Sequence, residues 1–213
     1  MLECITKETD MKKILIVVDY QHDFVAKNGA LPVPNADKLS QNIQAKIDDP
    51  TYDGTIYTFD THTKEQYDGS DEQEYFPDIH CEFETPGWNL FEIKPKFKEW
   101  NDYIESLKEP FDFFQSANEY FFTKNVFNIW QGNSTYPEWF PTKFPSDEYE
   151  IDVVGVATNY CVFMNVMGMA DKGYKVNIIQ DCVEGITNFP NGDIDPSFDK
   201  NITVMKNRNV IFK

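Results

Sequence analysis

The chain contains the stretch VVGVATNYCV, from Val153 to Val162, in which an apolar segment, a turn of small residues and a cysteine follow one another. The valines are β-branched and predict a buried strand. The sequence from Cys161 to Lys172 predicts a helix with apolar residues on its inner face. A helix N-terminus offers free backbone N–H groups and a positive partial charge, which favour a thiolate. The stretch therefore predicts a nucleophilic cysteine at the carboxyl end of a strand.

Similar apolar runs elsewhere predict an alternation of strands and helices. Strands are expected at residues 14–19, 54–59, 120–123, 151–156, 175–179 and 202–204. Apolar residues at helical spacing predict further helices at 39–47 and 100–107. This alternation predicts an α/β fold of three layers, with a mainly parallel β-sheet and helices on both faces. We expect one domain over residues 1–213, because no linker or internal repeat divides the chain.

Two segments have neither pattern. Residues 63–86 are polar and strongly acidic, which predicts a loop that carries His80 and Cys81. Residues 130–146 are rich in Pro, Gly and aromatic side chains, which predicts an irregular, lid-like segment rather than a regular helix.

The composition restricts the class of partner. The formal net charge is −17, and such a charge repels nucleic acid and anionic membranes, so we expect a small neutral molecule instead. A solvated acidic surface without any function gives the same composition. The longest apolar run is too short to span a bilayer, and the polar segment from Met1 to Lys13 predicts no secretion signal. The cysteines form no CxxC motif, which favours a reducing, cytoplasmic environment; they are Cys4, Cys81, Cys161 and Cys182.

Four reactive side chains lie at the ends of predicted strands. Asp19, Asp60, Lys124 and Cys161 each follow an apolar run. The carboxyl ends of parallel strands form the ligand crevice of an open sheet, so these side chains are expected to converge on one site.

Asp19, Lys124 and Cys161 together have the composition of a nucleophilic triad. A carboxylate can take the thiol proton and deliver it to a departing amine, and an ammonium favours the charged thiolate. The alternative is an Asp–Lys ion pair beside an inert buried cysteine, and the residues alone do not decide between the two.

Asp60, His62 and His80 provide a carboxylate and two imidazoles, which are ligands for zinc, iron or manganese. Two of the three histidines of the chain lie in this region. Ordinary loop polarity is the alternative, although the position of Asp60 one strand away from Asp19 favours a site.

The motifs of the chain resemble those of the isochorismatase-like cysteine hydrolases and, within them, the nicotinamidases. Five segments occur in the order of that family: VVDYQHDF at 17–24, TFDTH at 58–62, FPDIHCEFETPG at 76–87, FTKNVF at 122–127 and GVATNYCV at 155–162. Each segment is modest evidence alone, whereas five in order form a specific match.

The resemblance implies a role for each member of the triad. Asp19 corresponds to the general base, Lys124 to its cationic partner and Cys161 to the nucleophile. The resemblance also implies a cis peptide bond between Val156 and Ala157, in a turn that aims the backbone N–H groups of Ala157 and Cys161 at an oxyanion.

The resemblance further implies one divalent metal ion, zinc before iron or manganese, bound by Asp60, His62 and His80. In such relatives the metal binds the ring nitrogen of nicotinamide and orients the carboxamide over the thiolate. A further ligand, His or Glu, usually completes the site, and spacing does not choose among Asp68, Asp71, Glu72 and Glu74. The predicted substrate pocket contains Phe24, Phe76, Phe127 and Trp130.

The expected function is therefore that of an amidohydrolase, which converts nicotinamide to nicotinic acid and ammonia through a thioester on the cysteine. A cysteine hydrolase of the same superfamily that acts on another small amide is the second interpretation. A third interpretation, from a different class, is a non-catalytic metal-binding protein. The resemblance also suggests a homo-oligomer and a place in NAD salvage.

Overall fold

The computed structural model describes residues 11–189 and 191–213. Within these residues, seven strands form one sheet; they are Lys12–Val18 (β1), Gly54–Asp60 (β2), Phe113–Ser116 (β3), Glu119–Lys124 (β4), Tyr149–Gly155 (β5), Lys175–Val183 (β6) and Ile211–Phe212 (β7). Their order across the sheet is β3-β4-β2-β1-β5-β6-β7. Strands β3 and β4 are antiparallel, and all other neighbours are parallel.

The centre of the sheet is β1, whose residues from Ile14 to Val18 are buried. Leu15 and Val17 pack into a core on one face, whereas Ile14, Ile16 and Val18 pack into a core on the other face. A strand that is covered on both faces needs apolar side chains in both directions, which explains the continuous aliphatic sequence.

Helices cover both faces of the sheet. The α-helices are His22–Val25 (α1), Ser40–Asp48 (α2), Lys64–Tyr67 (α3), Asp71–Tyr75 (α4), Trp100–Ser106 (α5), Ile129–Gly132 (α6), Tyr136–Lys143 (α7), Cys161–Asp171 (α8) and Ser197–Asn207 (α9). The buried side chains of α2 and α5 belong to the first core, and those of α7, α8 and α9 belong to the second. The predicted three-layer α/β fold is confirmed.

The prediction of an irregular segment over residues 130–146 is wrong, because α7 occupies much of it. Pro137 lies in the first turn of α7, where a backbone N–H has no intrahelical acceptor and its loss costs little. Pro141 lies inside the helix and removes a hydrogen bond there. The aromatic side chains of Tyr136 and Phe140 are fully buried in the second core, and this packing keeps the segment helical.

The strand predicted at residues 202–204 is also wrong, because these residues belong to α9. Local β-branched residues favour a strand, but the inward side chains recur at helical spacing over Phe198, Ile202 and Met205. Met205 is buried in the second core, so burial of one helical face decides the conformation. The predicted loop at 63–86 likewise contains two short helices, α3 and α4.

No helix in the described ranges has the length and apolar character that a bilayer crossing requires. Cys4 lies outside the described residues.

Candidate active site

The carboxyl edge of the sheet carries the four side chains that the strand ends predict. Asp19 directly follows β1, Asp60 and Lys124 are the last residues of β2 and β4, and Cys161 begins α8 after β5. Strands β1 and β5 are neighbours, and the chain leaves β1 for β2 on the opposite side. A change of direction of this kind opens a crevice beyond the strand ends.

The turn between β5 and α8 leaves two backbone donors free. Gly155 has φ of 111°, and a Cβ there would lie 2.1 Å from the carbonyl oxygen of Val18, so only glycine fits. The peptide bond between Val156 and Ala157 is cis. Within the described part of the chain, the N–H groups of Ala157 and Cys161 have no acceptor. Two adjacent free donors of this kind are suited to binding an oxyanion.

A buried ammonium group joins the predicted triad. The Nζ atom of Lys124 lies 2.8 Å from Oδ2 of Asp19 and 3.5 Å from Sγ of Cys161. It also lies 2.9 Å from Oδ1 of Asp60. The other oxygen of Asp19, Oδ1, accepts a hydrogen bond of 2.6 Å from Oγ1 of Thr58. The structure thus brings Asp19, Lys124 and Cys161 together, with Asp60 as a neighbour of the same lysine.

The charge state of the site follows from burial and ion pairing. Burial lowers the pKa of Lys124, but Asp19 and Asp60 outweigh this and raise that pKa well above its ordinary value. The lysine is therefore a fixed cation. Burial raises the pKa of the Cys161 thiol well above its ordinary value, and the opposing effect of Lys124 does not offset it. Burial thus opposes the thiolate that the helix N-terminus and Lys124 favour, so removal of the thiol proton depends on a base.

Four side chains beside the triad form a compact cluster. Asp60, His62, Glu72 and His80 are all buried, and one ligand atom from each lies within 4.8 Å of the others. The structure thus brings Asp60, His62 and His80 together as predicted and adds Glu72 from α4. Of the remaining candidates, Asp68 and Glu74 are exposed, and the side chain of Asp71 is outside the described part.

The spacing of the donors fits a metal ion. Nε2 of His62 lies 3.2 Å from Oδ2 of Asp60 and 3.7 Å from Oε2 of Glu72. Nε2 of His80 lies 3.4 Å from Oδ2 of Asp60 and 3.3 Å from Oε1 of Glu72. A tetrahedral zinc ion with bonds of about 2.0–2.1 Å separates its ligand atoms by about 3.3 Å. Among the described groups, Oε2 of Glu72 is buried without a hydrogen-bond partner, which is the condition expected of a ligand atom.

The pKa shifts within this cluster are also consistent with a metal site. Burial raises the pKa of Glu72, and Asp60 raises it further. Burial raises the pKa of Asp60, but Lys124 and His62 outweigh this and hold it well below its usual range. Burial lowers the pKa of His80, but its hydrogen bonds to Asp60 and Glu72 raise it to about 9. A divalent cation bound by the cluster would offset the repulsion between the two buried carboxylates.

The imidazole of His80 is oriented by contacts on the side of the ring that faces away from the cluster. Its Nδ1 lies 3.3 Å from the carbonyl oxygen of Asp78, which leaves Nε2 directed at the cluster. The next residue, Cys81, donates its backbone N–H to Oδ2 of Asp23 at 2.8 Å. These two contacts orient the ring without using its ligand nitrogen.

An apolar cavity lies between the cysteine and the cluster. Its lining includes Cys161, Ala157, His80 and Glu72, and the apolar wall consists of Phe24, Leu31, Phe76, Phe127, Tyr160 and Ile186. The cavity has a volume of only about 10 Å³, which is near the minimum for one water molecule. A ring-containing ligand therefore requires the wall to move outward.

Three of the four predicted pocket residues line this cavity, and Trp130 does not. The indole of Trp130 packs against Tyr136 and Phe140, and its Nε1 donates to the carbonyl oxygen of Asn165 at 3.1 Å. The prediction for Trp130 is wrong because α6 turns this side chain toward α8.

Sequence reasoning missed Leu31, Tyr160 and Ile186 in the wall. Tyr160 directly precedes the nucleophile, and Ile186 follows β6 at the same edge of the sheet, so strand placement contained a signal for both. Tyr160 is held by a hydrogen bond of 2.6 Å from its hydroxyl to Oδ2 of Asp195. Leu31 lies in an irregular segment and carried no such signal.

Comparison with known proteins gives consistent matches. The family model of the isochorismatase domain matches residues 13–191. The nicotinamidase of Saccharomyces cerevisiae is 27% identical over 205 residues, which cover 84% of this chain and 90% of the relative. The structure of Pyrococcus horikoshii pyrazinamidase in complex with zinc superposes with a TM-score of 0.68 at 21% identity, covering 95% of this chain and 98% of the other. PnC1 from L. infantum in complex with nicotinate gives a TM-score of 0.71 at 19% identity, covering 96% and 93%. The structural matches show a shared fold.

Proposed function

Because this chain belongs to the isochorismatase domain family, we propose that it is an amidohydrolase that converts nicotinamide to nicotinic acid and ammonia. The observation that carries the proposal is the Lys124 ammonium, which contacts both the Asp19 carboxylate and the Cys161 sulfur. The similarity to a nicotinamidase over most of both chains supports the choice of substrate.

In the first half of the reaction, Asp19 takes the thiol proton as Sγ of Cys161 attacks the carboxamide carbon. The developing oxyanion accepts hydrogen bonds from the free N–H groups of Ala157 and Cys161. Asp19 then delivers the proton to the amide nitrogen, the C–N bond breaks, and ammonia leaves an acyl thioester on the cysteine. Lys124 keeps Asp19 in place as its charge changes.

In the second half, Asp19 takes a proton from a water molecule that attacks the thioester carbon. The same two N–H groups hold the second oxyanion. The C–S bond breaks, the sulfur regains a proton, and nicotinic acid is released. Both halves use the same base and the same oxyanion donors, so one arrangement of side chains is sufficient for the whole reaction.

A divalent cation, with zinc as the first choice and iron or manganese as alternatives, fits the cluster of Asp60, His62, Glu72 and His80. When bound, it supplies a Lewis acid that holds a ring nitrogen and thereby orients the carboxamide. The zinc complex of the pyrazinamidase of the same fold supports this assignment. Phe24, whose ring centroid lies 5.2 Å from that of His80, provides the face against which an aromatic substrate packs.

We further propose that the reaction takes place in the cytoplasm, as part of NAD salvage. Cys81, Cys161 and Cys182 are unpaired in the described part of the chain, and a catalytic thiol requires a reducing environment to stay reduced.

The test measures ammonia release from nicotinamide by purified wild-type protein, by Cys161→Ala and by the control Cys182→Ala, which removes another buried thiol away from the cavity. We expect Cys161→Ala to lose at least about 10³-fold in kcat with an unchanged circular dichroism spectrum, and Cys182→Ala to retain activity. Activity that survives in Cys161→Ala would contradict the mechanism.

Chelation followed by addition of zinc tests the role of the metal. We expect chelation to lower kcat/KM for nicotinamide and zinc to restore it. Release of ammonia from other small amides, but not from nicotinamide, would instead support a different amidohydrolase of the family. Absence of any amide hydrolysis would favour a non-catalytic metal-binding protein.

A further inference from the structure

The buried side chain of Gln21 connects the segment that follows β1 to the metal-ligand cluster. Nε2 of Gln21 donates to the carbonyl oxygens of Asp60 and Trp88, each at 2.8 Å. Oε1 of Gln21 accepts the backbone N–H of Asp60 at 2.7 Å. The backbone N–H of Gln21 donates to the carbonyl oxygen of Asp19 at 2.8 Å. The side chain is 0% exposed, so water does not substitute for any of these contacts.

The need for this side chain follows from the register of the sheet. The last pair between β1 and β2 is Val18 with Thr58, so Asp60 extends beyond the end of β1. On its other side, Asp60 is paired with Lys124 of β4. A buried backbone N–H and C=O without partners would be costly. The amide of Gln21 supplies both hydrogen bonds that a longer β1 would otherwise make.

The position of Asp60 matters for two neighbours at once. One carboxylate oxygen contacts Nζ of Lys124 at 2.9 Å. The other contacts the imidazoles of His62 and His80 at 3.2 and 3.4 Å. A shift of the Asp60 backbone would therefore change the donor spacing of the cluster and the placement of the lysine together.

We propose that Gln21 is a positioning residue that fixes Asp60 and thereby sets both the affinity of the cluster for a divalent cation and the placement of Lys124 in the triad. The part that concerns catalysis rests on the proposed function. The part that concerns cation affinity rests only on the geometry of the cluster.

The test measures the Kd for zinc by competition with a chromophoric chelator, in wild type, Gln21→Met and Gln44→Met. Methionine has a similar length and no hydrogen-bonding amide. Gln44 is a matched control, because its Oε1 accepts the backbone N–H of Lys94 at 2.8 Å and its Nε2 donates to the Lys94 carbonyl at 3.3 Å, away from the cluster. We expect the Kd of Gln21→Met to rise at least about tenfold, as for other residues that orient metal ligands, and that of Gln44→Met to stay unchanged.

A second variant, Gln21→Asn, keeps an amide but shortens the side chain, and it serves if Gln21→Met does not fold. We expect its zinc Kd to rise as well. A lower unfolding temperature combined with a wild-type zinc Kd in either folded variant would show a purely structural role and overturn the proposal, as would a wild-type chain that binds no zinc. Because zinc binding is measured without substrate, a wild-type protein that fails to hydrolyse nicotinamide would refute the proposed function and leave this test intact.

For the catalytic part, we expect kcat of zinc-saturated Gln21→Met to fall about tenfold or more, because substitutions of residues that hold a metal ligand in place lose activity on this scale. An unchanged kcat at saturating zinc would overturn that part.

Discussion

The most direct prediction concerns Lys124, whose buried ammonium contacts the carboxylates of both Asp19 and Asp60. Its side chain is 1% exposed, and both Asp19 and Asp60 are 0% exposed. The substitution Lys124→Met preserves much of the volume and removes the charge. Asp19 is then left buried without a counter-ion, while Asp60 keeps only its contacts with the imidazoles of His62 and His80.

The expected cost follows from this geometry. Removing one partner of a buried ion pair costs about 3–5 kcal/mol, mainly because an uncompensated charge remains. For a chain of this size, each kcal/mol lowers the unfolding temperature by about 2–4 °C, so the expected decrease is about 6–20 °C. Hydrolysis of nicotinamide should fall at the same time by at least about 100-fold, since the base loses its positioning contact.

The assay is thermal unfolding monitored by circular dichroism. A chelator is present throughout, so that loss of a bound metal does not contribute to the difference between variants. Lys175→Met is the control, because Lys175 pairs with Glu150 at 2.7 Å but its side chain is 51% exposed. A pair with a half-exposed lysine contributes about 1 kcal/mol or less. Glu150, which is 9% exposed, also keeps Lys213 at 2.8 Å, so the control should shift by less than about 4 °C. Equal shifts for the two variants would refute the reasoning that burial of the two carboxylates determines the role of Lys124.

Two further predictions test the packing and the pH dependence. Gly168→Ala places a Cβ 2.1 Å from Nε1 of Trp130, and we expect a loss of about 1–3 kcal/mol in unfolding free energy despite the better helix propensity of alanine; an unchanged denaturant midpoint would contradict this packing. Burial raises the pKa of Glu150, but Lys175, Lys213 and Asn177 outweigh this and lower it to about 2. Its stabilising contribution is therefore present above the ordinary pKa of 4.5 and is lost as the pH falls from about 4.5 to about 2. The free energy of unfolding, measured from pH 4.5 to about 2, should depend less on pH in Glu150→Gln than in wild type. Parallel plots of unfolding free energy against pH for the two proteins would refute this role of Glu150.

Much of the site was predictable because it depends on where strands end. Buried strands are indicated by the aliphatic run before Asp19, by the β-branched and aromatic residues before Asp60 and by the aromatic run before Lys124. Parallel pairing then places the following side chains at one edge. The convergence of the triad therefore needs only the strand assignment, which local sequence specifies well.

The fourth member of the cluster was not predictable, because spacing leaves several acidic residues equivalent. Glu72 differs from Asp68 and Glu74 only in its burial, which depends on how α4 packs. The raised pKa of the Cys161 thiol was also not predictable from the sequence. The helix N-terminus and Lys124 can be inferred from the sequence, but the loss of solvation at the sulfur depends on complete burial in the folded chain.

The conformation of α7 and α9 was predicted incorrectly for a shared reason. Prolines in one segment and β-branched residues in the other gave a local preference against helix. Burial of Phe140 and Met205 in the second core gave a larger tertiary preference for it. Where the local sequence preference is this weak, the conformation of a segment is determined by packing partners that lie far away in the sequence.

The tightness of the cavity above Cys161 also bears on the search for inhibitors. A rigid-receptor screen against this conformation would reject every aromatic compound, nicotinamide included, since the space holds about 10 Å³. Compounds selected for the closed shape would be fragments no larger than a solvent molecule. Productive screening therefore starts from conformations in which the side chains of Leu31 and Phe127 are displaced, because these parts of the wall are only partly buried, whereas Tyr160 is held by its hydrogen bond to Asp195.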